Sequence, residues 1–180
     1  MRETGSETVH RNPWFTVVRR RYEGERGERY DYFMVSKPDS VLVVVRHGRR
    51  FVLVDLERPT FDGARSLEFP QGGIEKGESP SSAAAREVLE ETGLRLTGLR
   101  PLGVFAECSG FATTSCHVFL ADAGGPGPAD PVVVDPFEAT LRVRLLSWDE
   151  LGGLARTGGI QDSATLAALA MVREPSDADR

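Results

Sequence analysis

The sequence has little lysine, little cysteine and no long apolar run. Lys37 and Lys76 are the only lysines among 22 basic residues, and the net charge of -5 argues against a broad nucleic-acid-binding surface. Cys108 and Cys116 form neither a disulfide framework nor a metal-ligand spacing, and their apolar neighbours predict two buried thiols. The N-terminus lacks the apolar core of a secretory signal, and no stretch is long enough to span a membrane. We therefore expect a cytoplasmic protein.

The segment 72–94 carries most of the information in the chain. Ser79 is a good N-cap residue, Pro80 suits the first helical position, and Gly93 can adopt the left-handed conformation that ends a helix. The residues between them propagate a helix well, so the sequence predicts a helix that starts at Pro80 and closes at Gly93. The inner side of this helix is predicted to consist of Ala84, Ala85, Val88 and Leu89.

Three glutamates, Glu87, Glu90 and Glu91, share one face of this helix, because residues three and four apart are neighbours on a helix surface. The glycine-rich loop before the helix permits a tight turn that can bring Glu78 back toward them. Like charges on one face repel each other. Such a face is either a solvated acidic surface or a cation site, and the helix alone leaves both open.

The same segment resembles the Nudix box, G-x5-E-x7-R-E-U-x-E-E-x-G-U with U aliphatic, at every specified position. Seven of these positions require one residue type, and at about one in fifteen each, chance agreement is on the order of 10^-8. The resemblance implies a hydrolase that cleaves a nucleoside diphosphate linked to another moiety. The matching residues are Gly72, Glu78, Arg86, Glu87, Val88, Glu90, Glu91, Gly93 and Leu94.

The complete match favours the cation site over the solvated face. Oxygen-only ligands favour Mg2+, with Mn2+ as an alternative, over zinc, and Mg2+ commonly pairs one or two carboxylates with substrate phosphates. Arg86 is expected to orient the carboxylates, and an ordinary helix-surface arginine is the alternative. The expected metal ligands are Gly72 through its carbonyl, Glu78, Glu87, Glu90 and Glu91.

The resemblance also implies catalytic and substrate-binding residues. The catalytic group consists of Arg86, the three helix glutamates and Glu138, which lies in a downstream loop that often supplies an acid in this family. The general base stays open between Glu138, Asp135, Glu107 and a glutamate of the box. Arginine suits bidentate phosphate binding, and an indole can stack on a base. The expected substrate-binding residues are Arg58, Trp14 and Glu68.

Hydrophobic patterning predicts the remaining elements. The run 41–45 is apolar at every position, as expected for a strand buried on both faces, and forms a hairpin with 51–54. The order of strands and helices predicts an α+β protein, and the resemblance implies the α/β/α sandwich of the Nudix fold with a mixed sheet between helices. The other predicted elements are strands at 14–21, 30–35, 99–105, 116–121 and 141–146, a loop at 124–136, and helices at 148–154 and 162–172.

The chain is expected to divide into three parts. Residues 1–40 would contribute an extra N-terminal strand pair and a homodimer contact, although the polar residues 1–7 are predicted to be frayed. Residues 41–174 would form the Nudix hydrolase domain, and residues 175–180 a disordered tail.

Three functions compete for this sequence. The N-terminal extension, the run Glu68-Phe69-Pro70-Gln71-Gly72-Gly73 and the closing GGIQDSATLAAL resemble ADP-ribose and nucleoside diphosphate sugar pyrophosphatases. Phe69-Pro70-Gln71-Gly72-Gly73-Ile74 also resembles dinucleoside polyphosphate and RNA 5'-triphosphate pyrophosphohydrolases. The third function is a nucleotide sensor without turnover. We favour the first, with a nucleoside diphosphate-linked small molecule as ligand and neither membrane nor nucleic acid as partner.

Overall fold

The structure of the protein is a computed structural model that describes residues 1–125, 127 and 140–172. Its strands form two sheets, one of three strands at the N-terminus and one of seven strands in the core. The strands are β1 (Arg2–Arg11), β2 (Thr16–Glu23), β3 (Arg29–Ser36), β4 (Ser40–His47), β5 (Arg50–Glu57), β6 (Arg65–Glu68), β7 (Gln71–Gly73), β8 (Arg95–Ala106), β9 (Ser115–Gly124) and β10 (Arg142–Leu146). The helices are α1 (Pro80–Thr92), α2 (Trp148–Thr157) and α3 (Ser163–Met171), with a short 3-10 turn at Pro59–Phe61.

The core sheet is mixed. Its main path runs β10-β5-β4-β9-β8, with β6 beside β5 and β7 beside β4. Strands β4 and β9 are parallel, and the other pairs are antiparallel. This arrangement confirms the α+β class and the mixed sheet predicted from the sequence.

Strand β4 shows why the sheet lies between two helical layers. Val41, Val43 and Val45 pack on one face with Ala84 and Val88 of α1. The alternate residues Leu42 and Val44 pack on the other face with Leu151 of α2 and Ala168 of α3. Successive strand residues point to opposite faces, so a run that is apolar at every position serves both layers. The sandwich and the buried strand are therefore both confirmed.

The N-terminal sheet differs from the prediction. The expected strand pair is present as β2 and β3, but residues 1–7, predicted to be frayed, form most of a third strand that pairs with β2. The cross-strand partners are charged: Glu7 accepts from Arg19 and Arg21, and Arg2 lies 2.5 Å from Glu23. Opposite charges that face each other across strands stabilise pairing without an apolar pattern. A hydrophobic pattern therefore gives no sign of this strand.

The N-terminal sheet contacts the core through the turn after β8. The amide of Val35 donates to the carbonyl of Phe111 at 2.7 Å, and the amide of Thr113 donates back to the Val35 carbonyl at 3.1 Å. The Tyr32 hydroxyl donates to the Gly110 carbonyl. These bonds place the β1–β2 turn, with Trp14, beside the core sheet.

Two smaller expectations are wrong, and two short strands were not predicted. Ala85 is exposed, and Ala83 takes its place on the inner side of α1. Cys108 is exposed, whereas burial raises the pKa of the Cys116 thiol to about 11. The short strands β6 and β7 were not predicted, because runs of four and three residues are too short to show a period.

Two predictions concern segments that lie mostly or wholly outside the described residues. The loop expected at 124–136 begins at the last residue of β9, and most of it lies outside the described residues, as does the tail at 175–180. The helices that the structure does describe include none long and apolar enough to cross a membrane.

Candidate active site

The helix that carries the glutamates is held at both ends as its sequence predicts. The Ser79 side chain accepts from the backbone amide of Ser82, Pro80 is the first helical residue, and Gly93 ends the helix with φ of 68°. The buried Ala83, Ala84 and Val88 fix the rotation of the helix against β4. With that face inward, the glutamates lie along the edge next to β7 and the glycine loop.

Arg86 joins most of these carboxylates. Its guanidinium contacts Glu78 through two nitrogens at 3.0 Å each, Glu87 at 2.7 Å and Glu90 at 3.1 Å. It also donates to the Gly73 carbonyl at 2.9 Å. The hydrogen bond from Arg86 lowers the pKa of Glu78, and the hydrogen bond to Glu78 raises the pKa of Arg86. Arg86 therefore has the position of an orienting residue for the carboxylates of the loop and of the helix.

The glycine loop approaches the helix closely. A Cβ atom at Gly72 would overlap the carboxylate of Glu87, so this position has no room for a side chain. Glu91 is 3% exposed and accepts from the backbone amide of Gln71 at 3.2 Å. Strand β7 and helix α1 are thus joined through two of the glutamates.

The donor chemistry of this cluster fits a hard divalent cation. Four carboxylates and the adjoining loop carbonyls offer only oxygen ligands, which Mg2+ and Mn2+ prefer. The missing side chain at Gly72 lets the Glu87 carboxylate lie close to the backbone of the loop. As arranged around Arg86, no three acidic, histidine or cysteine side chains within the described residues converge enough to hold a metal ion. Coordination of one ion by three or more of these carboxylates would therefore require their side chains to move from this arrangement.

A cleft of about 590 Å3 lies beside the glycine loop. Gly72 and Gly73 form part of its lining, together with Trp14 and Arg58. Trp14 is 72% exposed, and its backbone amide donates to the Asn12 side chain at 2.9 Å, which orders the turn that carries it. The structure thus brings two of the expected substrate-binding residues to the same cleft as the motif loop.

The third expected residue, Glu68, lies beneath the cleft. It is 2% exposed and receives a bidentate contact from Arg58, with distances of 2.9 and 2.6 Å. Burial raises the pKa of this carboxyl, but the hydrogen bonds and charge of Arg58 together with further side-chain hydrogen bonds, including that of Gln71, hold the pKa below its ordinary value. Glu68 is therefore placed to position Arg58.

A second ion pair lies in the same cleft. Lys37 lies 2.6 Å from one carboxylate oxygen of Glu107, and the Ser40 hydroxyl donates to the other oxygen. Both oxygens of Glu107 are thus engaged, one by the Lys37 ammonium and the other by the Ser40 hydroxyl. Glu107 fixes the ammonium group of Lys37 at the cleft.

Sequence reasoning missed several residues of the cleft. Lys37 precedes β4 and Ser40 is its first residue, and nothing in their local pattern marks them as functional. Gln71 and Asp162 are part of the runs that carry the family resemblance but were not predicted as site residues, and Asp162 is the N-cap of α3. The candidate acids Asp135 and Glu138 lie outside the described residues.

Comparison with known proteins identifies a family model, the NUDIX domain, that matches residues 36–169. The chain is 30% identical over 170 residues to a CMP-5'-(N-acetyl-N-hydroxy-3-aminopropyl)phosphonate hydrolase of Streptomyces rubellomurinus, covering 93% of this chain and 80% of that protein. It is 29% identical over 177 residues to an ADP-sugar pyrophosphatase of Mus musculus, covering 83% and 78%.

Two further similarities differ in extent. An RNA pyrophosphohydrolase of Brucella anthropi is 51% identical over only 53 residues, which is 29% of each chain. A crystal structure described as an ADP compounds hydrolase superposes with a TM-score of 0.79 at 22% identity, covering 96% of this chain and 93% of that one. The high local identity thus belongs to a short segment, whereas the fold is shared over nearly the full length.

Proposed function

The chain belongs to the Nudix family, and we propose that this Nudix hydrolase cleaves the diphosphate bond of ADP-ribose or a related nucleoside diphosphate sugar. The products would be a nucleoside monophosphate and a sugar phosphate. Mg2+ is the proposed metal, with Mn2+ as an alternative. The named activity of the similar Mus musculus protein, which matches over most of both chains, supports this substrate class.

One observation carries the proposal: the motif loop shares its cleft with Trp14, Arg58 and Lys37. Such a cleft offers an exposed indole for a base and two cationic groups for phosphates. Each cation already has a carboxylate partner at 2.6 Å, Glu68 for Arg58 and Glu107 for Lys37. The positive charge in the described part of the cleft is therefore limited, which suits a diphosphate better than a longer polyphosphate.

The chemistry would depend on the carboxylates around Arg86. We propose Glu78, Glu87, Glu90 and Glu91, with the Gly72 carbonyl, as the metal ligands. When bound, a divalent cation there neutralises charge on phosphate oxygens and lowers the pKa of a bound water. Arg86 connects the loop carboxylate to the helix carboxylates through its hydrogen bonds to Glu78 and Glu90.

The other residues of the cleft would bind and orient the substrate. Arg58 is held by Glu68 in the planar fork that suits phosphate oxygens, and Trp14 presents an exposed ring for stacking. For the general base, we favour Glu138 or a glutamate of the motif over Glu107, because both oxygens of Glu107 are engaged.

A second candidate function is hydrolysis of dinucleoside polyphosphates to two mononucleotides, or release of pyrophosphate from RNA 5'-triphosphates. The run Phe69-Pro70-Gln71-Gly72-Gly73-Ile74 and the short segment of 51% identity to an RNA pyrophosphohydrolase favour it. The run lies at the start of the motif segment, and the 51% identity covers only 29% of each chain. Arg58 and Lys37 are each already paired with a carboxylate, which counts against a substrate with more phosphate charge.

A substrate panel with product identification tests the proposal. Purified protein would be incubated with ADP-ribose, ADP-glucose, GDP-mannose, diadenosine polyphosphates and triphosphorylated RNA, with Mg2+ and with a chelator. The expected result is metal-dependent release of a nucleoside monophosphate and a sugar phosphate from at least one diphosphate sugar. Release of pyrophosphate from RNA as the most efficient reaction would support the second candidate instead.

We also propose that residues 1–40 form a homodimer contact, while residues 41–174 hold the chemistry. The N-terminal sheet leaves Tyr30, Tyr32 and Phe33 about half exposed, as is typical of surfaces that another chain covers. Light scattering at low concentration should give twice the chain mass of 19.7 kDa. A mass of one chain at every concentration would exclude the dimer.

A further inference from the structure

Gln71 lies where three parts of the site meet. Its backbone amide donates to the motif carboxylate Glu91 at 3.2 Å. Its side-chain nitrogen donates to Glu68 at 2.6 Å and to Asp162 at 3.3 Å. The residue also lines the cleft beside Gly72 and Arg58.

These partners fix which end of the Gln71 amide reaches the ligand. Ionised carboxylates only accept hydrogen bonds, so the two carboxylates require the NH2 group to lie between them. Both of its hydrogens are then used, and the carbonyl oxygen is the end of the amide left for the cleft. A flipped amide would set this oxygen against Glu68 and Asp162, with two charge-assisted hydrogen bonds lost.

The two carboxylates are themselves held in place. Glu68 receives the bidentate contact from Arg58 described above. The oxygen of Asp162 that accepts from Gln71 also accepts the Thr165 amide at 2.8 Å, as the N-cap of α3. The Phe69 amide donates to the Thr165 hydroxyl at 3.0 Å, which joins the segment before Gln71 to the same helix. The amide orientation is thus set by elements far apart in the chain.

We propose that Gln71 is a specificity-determining residue that accepts a hydrogen bond from a sugar hydroxyl next to the substrate diphosphate. This inference rests on the proposed function, because Gln71 immediately precedes the loop that would face the diphosphate. A carbonyl oxygen attracts a hydroxyl donor and repels a phosphate oxygen. Gln71 would therefore favour a sugar over a further phosphate at this position. The hydroxyl could belong to the second sugar or to the nucleoside ribose.

The test compares Gln71→Met with wild type on three substrates, with kcat and KM measured separately. ADP-glucose carries both sets of hydroxyls, the pentyl ester of ADP lacks the second sugar, and the 2',3'-dideoxyadenosine analogue of ADP-glucose lacks those of the nucleoside. Gln71→Met should lower kcat/KM for ADP-glucose about tenfold, mainly through KM. The loss should shrink to less than about twofold on the analogue that lacks the recognised hydroxyl, which identifies the sugar involved. Gln161→Met, at an exposed glutamine, is the matched control and should match wild type on all three.

An equal loss on all three substrates would overturn the role of Gln71 and leave the proposed function intact. If the wild type cleaves no diphosphate sugar, the proposed function fails and this inference fails with it. Should Gln71→Met not fold, Asp162→Asn replaces it, because asparagine caps a helix as well as aspartate does but removes one of the two orienting charges. That variant should show the same substrate pattern with a smaller loss, and an equal loss on all three substrates would again reject the inference.

Discussion

The two halves of the site are built in different ways. The carboxylate cluster comes from one continuous segment, in which a loop and a helix bring Glu78, Glu87 and Glu90 to Arg86. The neighbouring cleft is lined by Trp14 in the β1–β2 turn, Arg58 after β5 and Asp162 before α3. Local structure sets the first half, and long-range pairing sets the second. We therefore expect the first half to govern kcat and the second to govern selectivity.

The largest effect is expected in the carboxylate cluster. Glu90→Gln or Glu91→Gln should lower kcat at saturating Mg2+ by at least about 100-fold, because each removes a charge that would hold the metal. The substitution keeps the side-chain shape, so circular dichroism should show a folded protein. Steady-state kinetics beside Glu25→Gln, an exposed glutamate in the β2–β3 turn, provides the control. Near wild-type kcat in either variant would reject the metal assignment.

Removing the buried carboxylate of Glu68 beneath the cleft should lower the stability of the folded protein. Glu68→Gln leaves Arg58 without its carboxylate partner, and we expect a loss of about 3 kcal/mol in the free energy of unfolding near neutral pH. The folded pKa of Glu68 lies below its ordinary value of 4.5, so its contribution is complete above that pH and is lost as the pH falls through the folded pKa. The gap in Tm between wild type and variant should therefore narrow as the solution is acidified below pH 4.5. A gap that does not change with pH would contradict an ionised, stabilising Glu68.

Removing the exposed side chain of Trp14 should weaken substrate binding and leave catalysis and stability nearly unchanged. Trp14→Ala should raise KM about tenfold with little change in kcat or Tm, because the ring is exposed and would stack on the base. Val9→Ala, a half-exposed position in the same sheet, serves as the control. An unchanged KM in Trp14→Ala would remove this residue from the substrate site.

The smallest effect is expected at Glu107. Glu107→Gln weakens the contact that holds Lys37 and should raise KM about threefold, in line with a partly exposed ion pair. A fall of 100-fold or more in kcat would instead make Glu107 the general base.

The same contrast explains which features the sequence could predict. The limits of α1, its caps and its acidic face follow from residues within one segment, and the structure confirms the helix. The alternation of β4 between two helical layers likewise follows from an unbroken apolar run. By contrast, the Arg58–Glu68–Gln71–Asp162 network joins residues up to 104 positions apart through contacts that no local period encodes.

Strand β1 shows a second limit of sequence patterns. Its residues read as a polar, frayed end, but Glu7 and its arginine partners lie opposite each other only after β2 has paired with it. Charge complementarity between strands depends on register, which a hydrophobic pattern does not record for a solvent-facing sheet. The exposure of Cys108 is likewise not visible in the hydrophobic pattern, because Cys108 lies in a turn beyond the end of β8.

The ratio of kcat/KM for the best nucleoside diphosphate sugar to that for diadenosine tetraphosphate tests the central claim most directly. Measured at one Mg2+ concentration and one ionic strength, the ratio should be at least about tenfold in favour of the sugar, equivalent to about 1.4 kcal/mol in transition-state binding. The paired cations of the cleft and the acceptor oxygen of Gln71 are the proposed reasons. A ratio in favour of the tetraphosphate would contradict the account and assign the enzyme to polyphosphate substrates.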